Sequence, residues 1–213
     1  MPPTIEQAAQ EVGGLRLPAG LEVLEVIGSG RRSITFKARQ GGEVVALKVY
    51  RPQFIARYRK KYNVNIAVFE MSRNRALRKI PELVSFTARP IRVIGHDGQH
   101  SLCFMQEFID GVPLPELAKQ HKGLPVSVLR AGEQIVRLAA KAGLHDLDLY
   151  YKNVLARQVG GQWLPVLHDF NLMPQHEHPP NPFLALAYRT GLRKKSHRDL
   201  RCLEQWRALT GTD

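Results

Sequence analysis

Apolar and polar residues begin to alternate at Leu21, and the pattern holds to Tyr50. Leu21–Ile27, Ser33–Ala38 and Val44–Tyr50 each follow the two-residue period of a half-buried strand, with Gly28-Ser29-Gly30 and Gly41-Gly42 turning the chain between them. The period then lengthens. Ile66, Phe69, Arg73, Ala76, Leu77 and Ile80 recur at helical spacing, which predicts a helix over 66–80 closed by Pro81. Strands are predicted again at 88–94 and 101–107, around the turn Gly95-His96-Asp97-Gly98, with 108–114 leaving the sheet. A long helix follows at 125–142, its apolar set being Val126, Leu129, Ile135, Val136, Leu138 and Ala139. A short apolar hairpin lies between Asn153 and Asp169. Prolines interrupt the chain from Leu172 to about Phe183. An amphipathic basic helix over roughly 197–209 would then present Leu200, Leu203, Trp206 and Leu209 on one face. The order predicts an α+β fold: a lead-in over 1–20, loosely ordered, an antiparallel-sheet half over 21–110, and a short helical half over 111–213.

Composition narrows the class. With 213 residues, 44% of them hydrophobic, the chain can build one domain or two small lobes. No apolar run approaches the roughly 20 residues of a membrane-spanning helix. Residues 1–7 carry neither a basic leader nor an apolar core, so no secretory signal is expected. Cys103 and Cys202 stand far apart, which suits a reducing cytoplasm better than a disulfide framework.

The net charge of +12 is more informative, because it favours an anionic partner: nucleic acid, an acidic membrane surface or a phosphorylated small molecule. It gathers in two clusters, Arg51, Arg57, Arg59, Lys60 and Lys61, and then Arg193, Lys194, Lys195, His197 and Arg198. A solvated surface is the plainer explanation of either cluster alone.

Candidate chemistry lies in four places. Gly28-Ser29-Gly30 lets backbone amides approach phosphate oxygens without a Cβ in the way, although most Gly-x-Gly turns between strands are simple hairpins. A strand follows it rather than a helix, which excludes a dinucleotide fold. Lys48 stands in an apolar strand, where an ammonium needs an anion unless the strand is an edge with Lys48 facing solvent. If Lys48 holds phosphates, a carboxylate on the next helix would fix it, Glu70 first and Glu82 second. Asp148 precedes Asn153 by five residues, and Asp169 closes the hairpin after them. That spacing suits phosphoryl transfer, with Asp148 on a hydroxyl nucleophile and Asn153 and Asp169 on magnesium. Asp146 offers a second register that lacks the five-residue interval. His168, His176, Glu177 and His178 do not make a convincing zinc set, and neither cysteine has a nucleophile's surroundings. Tyr50, Tyr58 and Tyr62 read as a helix or loop face more than as base-stacking residues.

In motif identity, order and spacing, Gly28-Ser29-Gly30, Val45-Ala46-Leu47-Lys48, Glu70, Asp148 to Asn153 and Asp169-Phe170-Asn171 resemble the two-lobed protein-kinase-like fold over about residues 21–171. The resemblance implies ATP and Mg²⁺ as cofactors. It implies that Lys48 contacts the α/β-phosphates and Glu70 braces it, that Asp148 is the catalytic carboxylate, and that Asn153 and Asp169 ligate the metal. Phe104 to Phe108 is similar to the strand entering an interlobe hinge, so the backbone at Glu107 would meet adenine. Only 42 residues follow Asn171, too few for a protein-substrate lobe. The short second half and the basic end at 193–209 resemble the small bacterial kinases of lipopolysaccharide inner-core sugars (Kdo and heptose). The acceptor implied is an anionic glycolipid or phosphorylated sugar, met in the cytoplasm or peripherally at the inner membrane face. Asp146-Leu147-Asp148, Tyr150 in place of a lysine and Asn171 in place of a glycine depart from the pattern and keep a pseudokinase open. RIO-type kinases are also compact and basic, and would couple the same site to RNA.

Overall fold

The computed structural model describes residues 3–95, 98–170 and 173–209, an α+β chain that divides into two compact units. His96, Asp97, Asn171 and Leu172, named above, lie outside the described residues. The first unit comprises residues up to Arg75 together with Arg89–Phe108; the second comprises Ala76–Ala88 and the chain from Ile109. The division differs from a single cut at 110, because 76–88 belongs with the second unit.

In the first unit, strands β1 (Leu21–Ser29), β2 (Ser33–Gln40), β3 (Glu43–Tyr50), β4 (Pro90–Ile94) and β5 (Cys103–Glu107) form one antiparallel sheet in the order β1-β2-β3-β5-β4. The β2–β3 register pairs Ile34 with Val49, Phe36 with Leu47 and Ala38 with Val45, which sets six apolar side chains on one face. Cys103 and Met105 extend that face on β5, and Ala8 and Val12 pack against it. Ala8 belongs to helix α1 (Ile5–Glu11), so the expectation of a loosely ordered lead-in is corrected. Thr4 and Gln7 make a capping box that satisfies the first amides of α1, and its one buried residue anchors it to the sheet. Helix α2 (Pro52–Tyr62) was also not anticipated, and helix α3 (Ile66–Arg78) carries the chain out of the unit.

In the second unit, a short strand β6 (Val112–Pro113) is followed by helices α4 (Leu114–His121) and α5 (Val126–Lys141). The hairpin β7 (Val154–Val159) and β8 (Gln162–Leu167) turns at Gly160 and Gly161, both at positive φ, as a two-residue hairpin requires. Helices α6 (Pro182–Arg189) and α7 (His197–Ala208) follow. The core gathers α5, α7, the hairpin and the 3₁₀ turn Pro81–Phe86. The buried face of α5 is Val128, Ala131, Gly132, Ile135, Val136 and Ala139, while Val126 is exposed. On α7 the buried set is Asp199, Leu203 and Trp206, and Leu200 points outward. Gly132 is where these helices meet, since a Cβ there would stand 2.6 Å from the Trp206 ring.

Three further helices begin alike. Pro52, Pro115 and Pro182 stand in the first turns of α2, α4 and α6. Proline is tolerated there because its missing N–H would have had no intrahelical partner.

Candidate functional site

Lys48 lies on β3, the central strand of the sheet, flanked by β2 and β5. The edge-strand reading of Lys48 is therefore excluded. Its neighbours in register are Thr35 and Phe104, and both Lys48 and Phe104 are buried. Lys48 Nζ lies 2.7 Å from Glu70 Oε1, and Glu70 is fully buried. Tyr50, two residues on and on the same face of β3, donates its hydroxyl to Glu70 Oε2. Glu70 is thus held through both carboxylate oxygens, and the structure brings Lys48 and Glu70 together. Glu82, the second candidate, sits in the 3₁₀ turn of the other unit.

The glycine turn closes through Gly30 N–H, which donates to Ser33 O at 2.9 Å. Gly28 and Ser29 remain paired with Thr35 and Ile34, after a register shift at Val26. Arg51 fixes this turn from outside. Its Nε donates to Gly30 O at 3.2 Å and its Nη2 to Ser29 Oγ at 3.3 Å, while Nη2 pairs with Glu11 Oε2 at 2.5 Å. Arg51 therefore spends its charge within the unit, and its place in the basic cluster is corrected. No periodicity could have marked it, because its partners lie at the ends of α1 and β1. At the end of β5, Glu107 N–H donates to Arg89 O at 2.8 Å, and the Glu107 carboxylate accepts from Arg89 N–H at 2.9 Å.

The second unit holds the other three residues. Leu147 and Leu149 are buried in its core, and Asp146 and Asp148, alternating with them, both adopt left-handed backbone at φ 57° and 66°. This is a conformation that aspartate tolerates better than most residues, at a cost of about 1–2 kcal/mol. Helix α7 holds the loop in place. Asp199 accepts Asp146 N–H and Leu147 N–H at 2.7 Å each, and Trp206 Nε1 donates to Leu149 O at 2.8 Å. Burial pushes the Asp199 carboxyl up to about 6 against the lowering pull of those two amides. Asp146 is itself buried, paired with Arg198 at 2.9 Å and accepting Gln175 N–H at 2.8 Å. That use of Asp146 leaves Asp148 as the carboxylate of this loop that lines a pocket.

No protein-family model matches the chain, and no curated protein matches it.

The pocket has a volume of ≈ 360 Å³ and is lined by Asp148, Tyr150, Arg193, His197, Arg198 and Arg201 among others. One carboxylate among four basic side chains suits an anionic ligand that brings a polar group to Asp148. Arg193 Nε is buried with no hydrogen-bond partner among the described residues, a donor that an anion would satisfy. Asn153 and Asp169 flank the β7–β8 hairpin. Val154 pairs with Leu167, so Asn153 and Asp169 stand at the same end of the ladder, both half-buried. Asn153 N–H donates to Tyr150 O at 2.7 Å, closing the turn between Asp148 and the hairpin. Two oxygen-bearing side chains at one hairpin end are the donor type that a hard divalent cation takes. Among the described residues no three His, Cys, Asp or Glu side chains come together as a metal cluster. His176 instead pairs with Glu177 at 3.3 Å and packs edge-on against His145. Burial pushes the Cys103 thiol up to about 12 and Cys202 up to about 11, which keeps both protonated and poor nucleophiles at neutral pH.

Proposed function

We propose that this chain has the two-lobed arrangement of the protein-kinase-like fold and transfers the γ-phosphoryl group of ATP to a hydroxyl of a non-protein acceptor. The observation that carries the reading is the buried Lys48–Glu70 pair at 2.7 Å, which joins the central strand β3 to helix α3. A buried ion pair is seldom retained for stability alone. A lysine held this way is a fixed cation for phosphate oxygens. The glycine turn, shaped by Arg51, lies at the end of β1 on the same sheet.

In the second unit, Asp148 would accept the hydrogen bond of the acceptor hydroxyl and orient its oxygen for attack on the γ-phosphorus. The α7 contacts fix the backbone on either side of Asp148, so positioning is the chain's main contribution. Asn153 and Asp169 would hold Mg²⁺. The ion, when bound, neutralises charge developing on the transferring phosphates. Arg193 and Arg201 would hold an anionic group of the acceptor, which favours a phosphorylated or carboxylated sugar such as those of a lipopolysaccharide core. The same charge supports peripheral contact with an acidic inner membrane face. Among the described residues no helix is long and apolar enough to cross a membrane.

The test is ATP turnover with Mg²⁺ on an acidic core-sugar acceptor, compared across the wild type, Lys48→Met and Asp148→Ala. Both variants are expected to lose transfer by at least 100-fold, with ATP binding nearly intact in Asp148→Ala. Turnover within tenfold of wild type in either variant removes that residue from its role. Saturable ATP binding without turnover on any acceptor would favour a pseudokinase.

A further inference from the structure

The larger of the two described pockets lies away from every residue assigned above except Tyr50. It has a volume of ≈ 520 Å³ and belongs wholly to the first unit, between the end of α1, helix α2 and the segment 98–102. Its lining has a consistent chemistry. Arg16 and Arg59 supply two cations, and no Asp or Glu stands among the described lining residues. Neither guanidinium has a hydrogen-bond or ion-pair partner among the described residues, unlike Arg51 close by in sequence. Ile55, Val64 and Leu102 line the same cavity and give it an apolar side. The loop that carries Arg16 is pinned: Arg16 N–H donates to Ser101 Oγ at 2.9 Å, Ser101 N–H donates to Arg16 O at 2.8 Å, and Ser101 Oγ donates to Gly14 O at 3.2 Å. A pinned loop and a helix that each bring a cation to one cavity make a seat for an anion with an apolar neighbour.

We infer that this cavity binds a small organic phosphate, its phosphoryl group between Arg16 and Arg59 and its carbon skeleton against Ile55, Val64 and Leu102. The position has a consequence for the proposed ATP site. Tyr50 lines the cavity and donates to Glu70, which holds Lys48. An occupant pressing on Tyr50 acts on the lysine pair through one hydrogen bond.

Phenyl phosphate is a suitable probe because it joins a phosphate to an apolar ring, and calorimetric titration on the full chain without Mg²⁺ reads it directly. Saturable binding is expected, at least tenfold tighter than inorganic phosphate and than phenol. It should weaken at least tenfold in Arg16→Ala/Arg59→Ala and stay within twofold in Arg193→Ala/Arg201→Ala. No saturable binding at low salt, or loss in the second double variant instead of the first, overturns the site. Unchanged thermal unfolding of Arg16→Ala/Arg59→Ala separates lost contact from lost fold. If that variant is unstable, Arg59→Glu must reproduce the loss. A second arm rests on the phosphotransferase reading. Saturating phenyl phosphate should shift the Kd for ATP at least threefold in the wild type and not in Tyr50→Phe. An unshifted Kd, or an equal shift in both, overturns the coupling. A chain that binds the probe but not ATP overturns the phosphotransferase reading and leaves the cavity assignment standing.

Discussion

Taking both Lys48 and Glu70 out of water is costly, and their attraction offsets that cost only while the pair is intact. Glu70→Gln leaves a buried ammonium facing a neutral amide, so it should lower unfolding free energy by about 3–5 kcal/mol. The double variant Lys48→Met/Glu70→Leu removes both charges, and should recover most of that loss while transfer stays abolished. Tyr50 then loses its acceptor, at about 1 kcal/mol, which keeps the recovery incomplete. Urea unfolding of the two variants checks both statements. An unchanged midpoint in Glu70→Gln would mean that the ammonium reaches water. A double variant no more stable than Glu70→Gln would mean that the pair serves the fold rather than the site.

Among the elements, α7 governs the Asp148 loop, and two variants probe that hold. The folded-state pKa of Asp199, about 6, lies above the ordinary carboxylate value of about 3.9, so the native chain holds this proton more tightly than the unfolded chain. The resulting stabilisation is full below about pH 4 and is lost as pH rises through about 6, by up to ~3 kcal/mol. Asn at this position does not titrate. It also turns one amide donor against another, costing about 1–3 kcal/mol at every pH. Asp199→Asn should therefore be less stable than wild type throughout, with the gap narrowing from pH 4 to pH 7 in denaturant titrations. A gap that widens with pH would contradict the raised pKa. Gly132→Ala tests the same helix from its other side. Alanine favours a helix by about 1 kcal/mol, but its methyl would stand 2.6 Å from Trp206 and 2.9 Å from Leu203. Overpacking of about 1–3 kcal/mol should win. The displaced indole should slacken its hold on Leu149 O, so activity should fall further than stability alone explains; parallel thermal unfolding and turnover measurements separate the two.

At the scale of the whole molecule, the antiparallel sheet was legible because alternation is a local signal, and β2 and β3 keep unbroken register. Lys48 was legible as a charge out of place in an apolar strand, and Glu70 only by reference to Lys48. The contacts that shape the site were not. Asp199 and Trp206 stand 52 to 57 residues from the loop atoms they bind, and Arg51 meets Glu11 across 40, so no pattern along the chain could join them. The candidate residues themselves divide between units: Lys48 and Glu70 fall in the first, Asp148, Asn153 and Asp169 in the second. Phosphoryl transfer requires both sets to act on one ATP, and energetic coupling measures that directly. If Lys48 and Asp169 hold the same triphosphate, loss of either anchor frees the phosphates from part of the other's hold. ATP affinity with Mg²⁺ should then fall at least tenfold in Lys48→Met and in Asp169→Asn. The double variant should fall short of the summed losses by more than about 0.5 kcal/mol, the margin within which independent sites add. Strict additivity would mean that the two units do not share the nucleotide, and the phosphotransferase reading would fail with it.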